Sequence, residues 1–143
     1  MVRVNIINPK NLTDQHLIAE YKEIIMLVGY VKNNPGTSLD KIPKHYLLGS
    51  GHILFFKNKL GYLKKRFDKI KKEMKKRGFK ANMNINTSPF NEKLKRNWHA
   101  SEEDKKIIKK RLIQRVKLKP KWYSYYRKKK PLKFYVEMIK NAE

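Results

Sequence analysis

Leu60, Leu63, Phe67, Ile70 and Met74 recur at three and four residues without a miss, and lysine fills most positions between them. That spacing lays one apolar stripe along a helix and leaves the rest of the cylinder in water. It predicts a helix from about Asn58 to Arg77, with Gly78 just past its end. A second stripe, Leu17, Tyr21, Ile24, Val28 and Val31, predicts a helix from about Asp14 to Lys32. Thr13 or Asp14 would cap it, and Asn33-Asn34-Pro35-Gly36 would break it. A third helix is expected from about Glu102 to Lys117. Ser101 and Asp104 make a capping-box-like pair there, and three acids suit the dipole of the first turn.

Little else is periodic. Residues 46–56 are apolar, carry two glycines and fit a short buried helix. Phe79 to Ala100 is polar, Asn-rich and interrupted by Pro89, and a loop that long in a small chain is usually functional. Arg3 to Ile7 reads as a strand-like arm lying across the helices. The expected fold class is therefore all-α: a compact single domain spanning residues 1–143, with three main helices and long irregular loops.

Charge narrows the function. The chain has 36 Lys and Arg against 12 Asp and Glu, a net charge of +24. A surplus of that size fits a polyanionic partner, with binding that is steep in salt. Part of the surplus reflects lysine-rich composition, since Lys far outnumbers Arg. With no cysteine, disulfides and thiolate metal sites are excluded. Histidines 16, 45, 52 and 99 have no metal-ligand spacing, so no metal and no cofactor is expected. No apolar run approaches a membrane span and no signal-peptide segment opens the chain, so a cytoplasmic or nuclear location is expected.

Acids on a phosphate-binding protein stand out. His16, Glu20 and Glu23 follow one another at helical spacing within two turns, about 11 Å, and are expected on the face opposite the Leu17–Val28 stripe. His16 could donate to phosphate or base, and Glu23 could act as general acid or base. The same spacing also fits a solvated polar face. The chain's α-amine adds a nucleophile: its ordinary pKa is about 7.7–8.0, and surrounding cations lower it. An amine can attack a sugar C1′ to give an iminium, with a carboxylate moving the protons. That scheme requires removal of Met1, which the small Val2 permits. Glu20 is open to a structural role, pairing with a base such as Arg3. Arg111 and Arg115 share a face of the third helix, as phosphate contacts or as solvated surface. The segment Trp122–Lys130 interleaves aromatics with bases, which can stack and hold phosphates. Trp122 is expected inside the core, with some of the tyrosines facing the ligand.

Five blocks in order resemble one family: Arg3-Val4-Asn5, Asp14 through Glu23, Gly49 through Phe56, Lys76-Arg77-Gly78-Phe79 and Trp122-Tyr123-Ser124-Tyr125-Tyr126. They resemble the pyrimidine-dimer DNA glycosylases typified by the phage endonuclease V that repairs ultraviolet damage, over about residues 2–128. The resemblance implies an N-terminal arm threaded between the three helices. It also implies a bifunctional enzyme in which the Val2 α-amine attacks C1′ of the 5′ nucleotide of a cyclobutane dimer and the Schiff base then undergoes β-elimination. By motif position Val2 and Glu23 would be catalytic. Arg3, Gln15, His16 and Lys22 would contact DNA around the lesion, with Arg111 and Arg115 on phosphates and Tyr123 and Arg127 in the binding surface. The partner would be double-stranded DNA carrying ultraviolet lesions or abasic sites, engaged by a monomer. Three positions depart from the family pattern: Val2 for Thr, Lys22 for Arg, and Met26 for a further Arg. Residues 129–143 extend past the family's usual end. The alternatives are a non-catalytic basic DNA- or RNA-binding module and a glycosylase for oxidised or ring-opened purines.

Overall fold

The structure, a computed structural model, describes residues 4–36 and 39–143. Its elements are helices α1 (Asp14–Asn33), α2 (His52–Phe56), α3 (Leu60–Lys76), α4 (Glu102–Leu118) and α5 (Leu132–Lys140). Short 3-10 turns lie at Pro9–Asn11, Leu39–Lys41 and Glu92–Leu94. The three expected helices are present with their ends displaced by at most a few residues, and the all-α class holds.

The helix ends follow local chemistry. Thr13 caps α1, its hydroxyl accepting from the His16 N–H at 3.1 Å. At the end of α3, Gly78 takes φ +85°. There the Phe79 N–H donates to Met74 O and the Gly78 N–H to Lys75 O, which satisfies the last carbonyls as a Schellman motif does. Ser101 and Asp104 complete the expected capping box on α4.

α1 packs on α3 and α4 on α5, and the buried apolar residues form one continuous cluster. Beside the helix–helix seam sits an aromatic group. Tyr46, Phe55, Phe56, Tyr62 and Trp98 meet there edge-on or stacked, with centroids 5.0–6.1 Å apart. α5 lies in the segment beyond the family's usual length. It buries Tyr135 and Ile139 against α4.

The arm Val4–Ile7 is buried along its whole length and touches three helices. The Val4 N–H donates to His52 Nε2 of α2 (3.0 Å), and Tyr46 donates its hydroxyl to the Val4 carbonyl (3.0 Å). Since His52 Nδ1 lies 2.9 Å from the Leu47 carbonyl, the ring holds its proton on Nδ1 and accepts at Nε2. Asn5 and Ile7 are held from α1 and α3. The arm is thus threaded between α1, α2 and α3. Among the described residues no helix is long and apolar enough to cross a membrane.

Candidate active site

Glu20 and Glu23 do not lie opposite the apolar stripe of α1. Both are buried, Glu20 completely and Glu23 at 8 % exposure. At 3.6 residues per turn Glu20 falls between Leu17, Ile24 and Leu27, inside the buried arc, and His16 and Glu23 flank that arc. The reason is tertiary: α3 covers one side of α1 and the arm covers the next, so an arc wider than the apolar stripe loses contact with water.

Glu20 is satisfied from two elements. Arg66 of α3 grips it with two donors, Nε to Oε2 at 2.6 Å and Nη2 to Oε1 at 3.0 Å, and the Asn5 N–H donates to Oε1 at 3.0 Å. Arg66 also donates to the Ile7 carbonyl. Its charge is opposed by burial but more than restored by Glu20, which raises its pKa. The base expected beside Glu20 was Arg3, which lies outside the described residues; the partner observed is Arg66.

Between the two anchored positions, Asn5 and Ile7, sits Ile6 at φ +48°, with the Ile7 N–H turned back onto the Asn5 carbonyl. A β-branched residue strongly disfavours that region, so the bend costs free energy that the flanking bonds must offset. The Glu20–Arg66 pair brackets the bend and fixes the direction in which the arm runs over α1, one helical turn from Glu23.

A second buried network joins the far end of α1 to the aromatic segment. The Asp14 carboxylate accepts from Arg77 Nη1 (3.0 Å), the Ser124 hydroxyl (2.7 Å) and the N–H groups of Tyr126 (3.1 Å) and Arg127 (2.8 Å). Tyr126 and Arg127 both have positive φ, and Tyr125 and Lys128 exchange backbone hydrogen bonds across them. This is a type I′ turn made without glycine, and Asp14 supplies the acceptor that both strained N–H groups need. Arg77 donates to Glu73, Asp14 and the Leu12 carbonyl while the rings of Tyr125 and Tyr126 lie 4.6 and 4.9 Å from its guanidinium carbon.

This arrangement reverses one expectation. Trp122 is not inside the core; it is 63 % exposed. Tyr123 is buried instead, between His16 (centroids 4.9 Å) and Tyr135 (6.4 Å), and Tyr125 and Tyr126 are half-buried against Arg77. The tyrosines face inward because their hydroxyls find partners there: Tyr125 donates to the Lys10 carbonyl and Tyr126 to Glu73. Trp122, with Arg115, Leu118, Lys119 and Tyr123, lines an open hollow of about 310 Å³.

The other expected site residues fall into place unevenly. Gln15 is tied to Ser124 through its amide oxygen and nitrogen, at 2.9 and 3.1 Å. His16 packs on Tyr123 close to Arg115, and burial, followed by the Arg115 charge, lowers its pKa to about 4. Its Nδ1 is buried and has no hydrogen-bond partner among the described residues. Lys22 is exposed on α1, and Arg111 and Arg115 are half-buried one turn apart on α4. Arg127 lies over Phe79 and donates to the Gly78 carbonyl at 2.6 Å. Val2 and Arg3 lie outside the described residues. Among the described residues no three His, Cys, Asp or Glu side chains converge as metal ligands would.

Sequence reasoning gave no site role to Arg66, Arg77, Asp14 or His52, which build the frame of this site. One signal was available for the first two. Arginine is rare here, 7 of the 36 basic residues. An isolated Arg inside a lysine run marks a position where a planar two-pronged donor is needed.

Glu23 thus lies buried one turn from the anchored arm, on a molecule of net charge +24 with Trp122 exposed. The family model described as pyrimidine dimer DNA glycosylase matches residues 1–87. That match covers α1, the arm, α2 and α3. It spans more than half of the 143 residues, and the chain belongs to this family of DNA-repair glycosylases.

Proposed function

We propose that the protein is a bifunctional glycosylase and lyase acting on cyclobutane pyrimidine dimers in duplex DNA through the α-amine of Val2, after removal of Met1. The observation that carries this reading is the clamp on the arm. Asn5, three residues from Val2 in sequence, is bonded to Glu20, one turn from the buried Glu23.

The amine attacks C1′ of the 5′ nucleotide, the glycosyl bond breaks, and the departing base takes up a proton. The C1′–O4′ bond then opens, O4′ taking the proton that the amine gives up, and the iminium so formed acidifies the C2′ proton. Its removal expels the 3′ phosphate by β-elimination, and water then releases the amine. Glu23 is assigned the proton transfers. The net charge of +24 favours the unprotonated amine at neutral pH and holds the phosphates. His16 is neutral at that pH and so serves as a hydrogen-bonding or stacking group rather than a cation. Lys22, Arg111 and Arg115 supply phosphate contacts, and Trp122 rather than the tyrosines offers the exposed ring. The protein acts as a monomer and needs no metal, so nicking should be unchanged by a chelator.

Borohydride reduction in the presence of dimer-containing duplex should trap a covalent adduct, and blocking the α-amine should abolish it. Adduct that persists with a blocked terminus would overturn the nucleophile. Lys59 would then be the first alternative to test, because burial and then Arg96 bring its amine down to about 8. Glu23→Gln should bind the lesion without cutting it, and retained nicking of ultraviolet-irradiated plasmid would remove Glu23 from the mechanism.

A further inference from the structure

Lys65, Lys69, Lys72 and Lys76 follow one another at four, three and four residues along α3. They form a single row on the side of the helix roughly opposite Leu63, Phe67, Ile70 and Met74, which pack into the core. All four are exposed. The row therefore faces away from α1 and Glu23. Successive members are about 5–6 Å apart at Cβ, so their long side chains can follow the phosphates of one strand.

Five lysines pair with an acid three or four residues away: Lys64 with Asp68, Lys95 with Glu92, Lys105 with Glu102, Lys106 with Glu103 and Lys133 with Glu137. None of the four in the row has such a partner among the described residues. The two acids of α3 are kept off it, Asp68 with Lys64 and Glu73 turned inward to Arg77. Unneutralised like charges at one-turn spacing repel, so the row costs stability that an anionic partner would return.

The surface beneath the row is concave. Lys65 and Lys69 edge a hollow of about 530 Å³, and Lys69, Lys72 and Lys76 edge a second of about 290 Å³. Asn8 and Pro9 line both, so they form one continuous trough. Lys10 adds a cation at one end, and Lys105, Trp98 and His99 lie at the other. Two acids line it, Glu143 at its margin and Glu73, whose carboxylate is paired with Arg77.

We infer that this trough is a second DNA-binding surface, taking the sugar–phosphate backbone of another DNA segment while the α1 side engages the first. A protein with two such faces bridges duplexes and can pass between them without dissociating fully. The inference goes beyond the proposed glycosylase chemistry and does not depend on it.

The test uses the full chain and undamaged DNA. An immobilised short duplex is incubated with protein and a fluorescent second duplex, and the captured fluorescence is read. Wild type should capture the second duplex. The variant Lys65→Gln, Lys69→Gln, Lys72→Gln, Lys76→Gln should capture at least tenfold less, while binding of a single duplex changes no more than a few-fold. A control variant with Lys41→Gln, Lys44→Gln, Lys93→Gln and Lys133→Gln, of equal net charge, should bridge as wild type does. Absence of bridging by wild type, or equal loss in both variants, would overturn the second surface. Because no lesion is present, neither result bears on the N-terminal amine.

Discussion

Removing the Glu20 carboxylate should cost more than the attraction it supplies, because Arg66 would be left charged, buried and facing a strained bend in the arm. We expect Glu20→Gln to lose about 3–5 kcal/mol in denaturant unfolding, while the paired change Glu20→Leu with Arg66→Met recovers much of it. If the single change proves neutral, the clamp is not what holds the arm. His16 gives a pH signature. Its pKa in the fold, about 4, is below the ordinary 6.5, so the unfolded chain binds the proton more readily. Its contribution is complete above pH 6.5 and is lost as pH falls toward 4, at most about 3 kcal/mol. Thermal unfolding of wild type should therefore fall more steeply from pH 7 to pH 5 than that of His16→Gln. At this scale the sequence was legible in part. Two acids on a basic chain were a visible anomaly, yet which of them met an arginine was not, since Arg66 lies 46 positions from Glu20.

Helices were the most legible elements, because their stripes and caps are written within a few residues of one another. Ser101→Ala should destabilise by about 1 kcal/mol in urea unfolding, the usual worth of a capping hydroxyl. Gly61 makes a sharper test. It opens α3 where the backbone of Lys95 and Arg96 crosses, and a Cβ there would sit 2.5 Å from the Lys95 carbonyl oxygen and 3.0 Å from that of Arg96. Backbone cannot yield as a side chain can, so Gly61→Ala should cost about 1–3 kcal/mol in the same assay despite its better helix propensity. Propensity alone gives the opposite sign. The segment from 79 to 100 carried no periodic signal because its order is borrowed: the Met83 N–H donates to the Tyr21 hydroxyl at 2.8 Å, and Arg96 exchanges backbone bonds with Asn58 and Tyr62. The inward tyrosines and outward Trp122 were decided in the same way, by Arg77 and Asp14 arriving from other elements.

The whole molecule is governed by its charge and by how the two ends of the chain close on each other. Affinity for undamaged duplex should fall by several powers of ten between low and moderate salt, with log K linear in log salt, and an affinity indifferent to salt would contradict a phosphate-held complex. α5 bears on the same site from a distance. Asn11 donates to the Met138 carbonyl at 2.8 Å, the Asn8 N–H donates to the Glu143 carbonyl at 2.9 Å, and Tyr135 donates its hydroxyl to the Tyr123 carbonyl at 2.9 Å. Tyr135→Ala should therefore cost about 3–5 kcal/mol in unfolding and loosen the packing of Tyr123 on His16. The sequence by itself determined the helical class, the positions of α1, α3 and α4, the polyanion-binding character and the family, because periodicity, capping and net charge are local or additive properties. Tertiary structure decided that Glu20 is buried, that Arg66 and Arg77 sit in buried ion pairs, that the arm bends at Ile6, and that four lysines of α3 line a trough away from α1. Each depends on which surfaces the fold brings together across tens of residues, and burial and pairing at that range are written in no single segment.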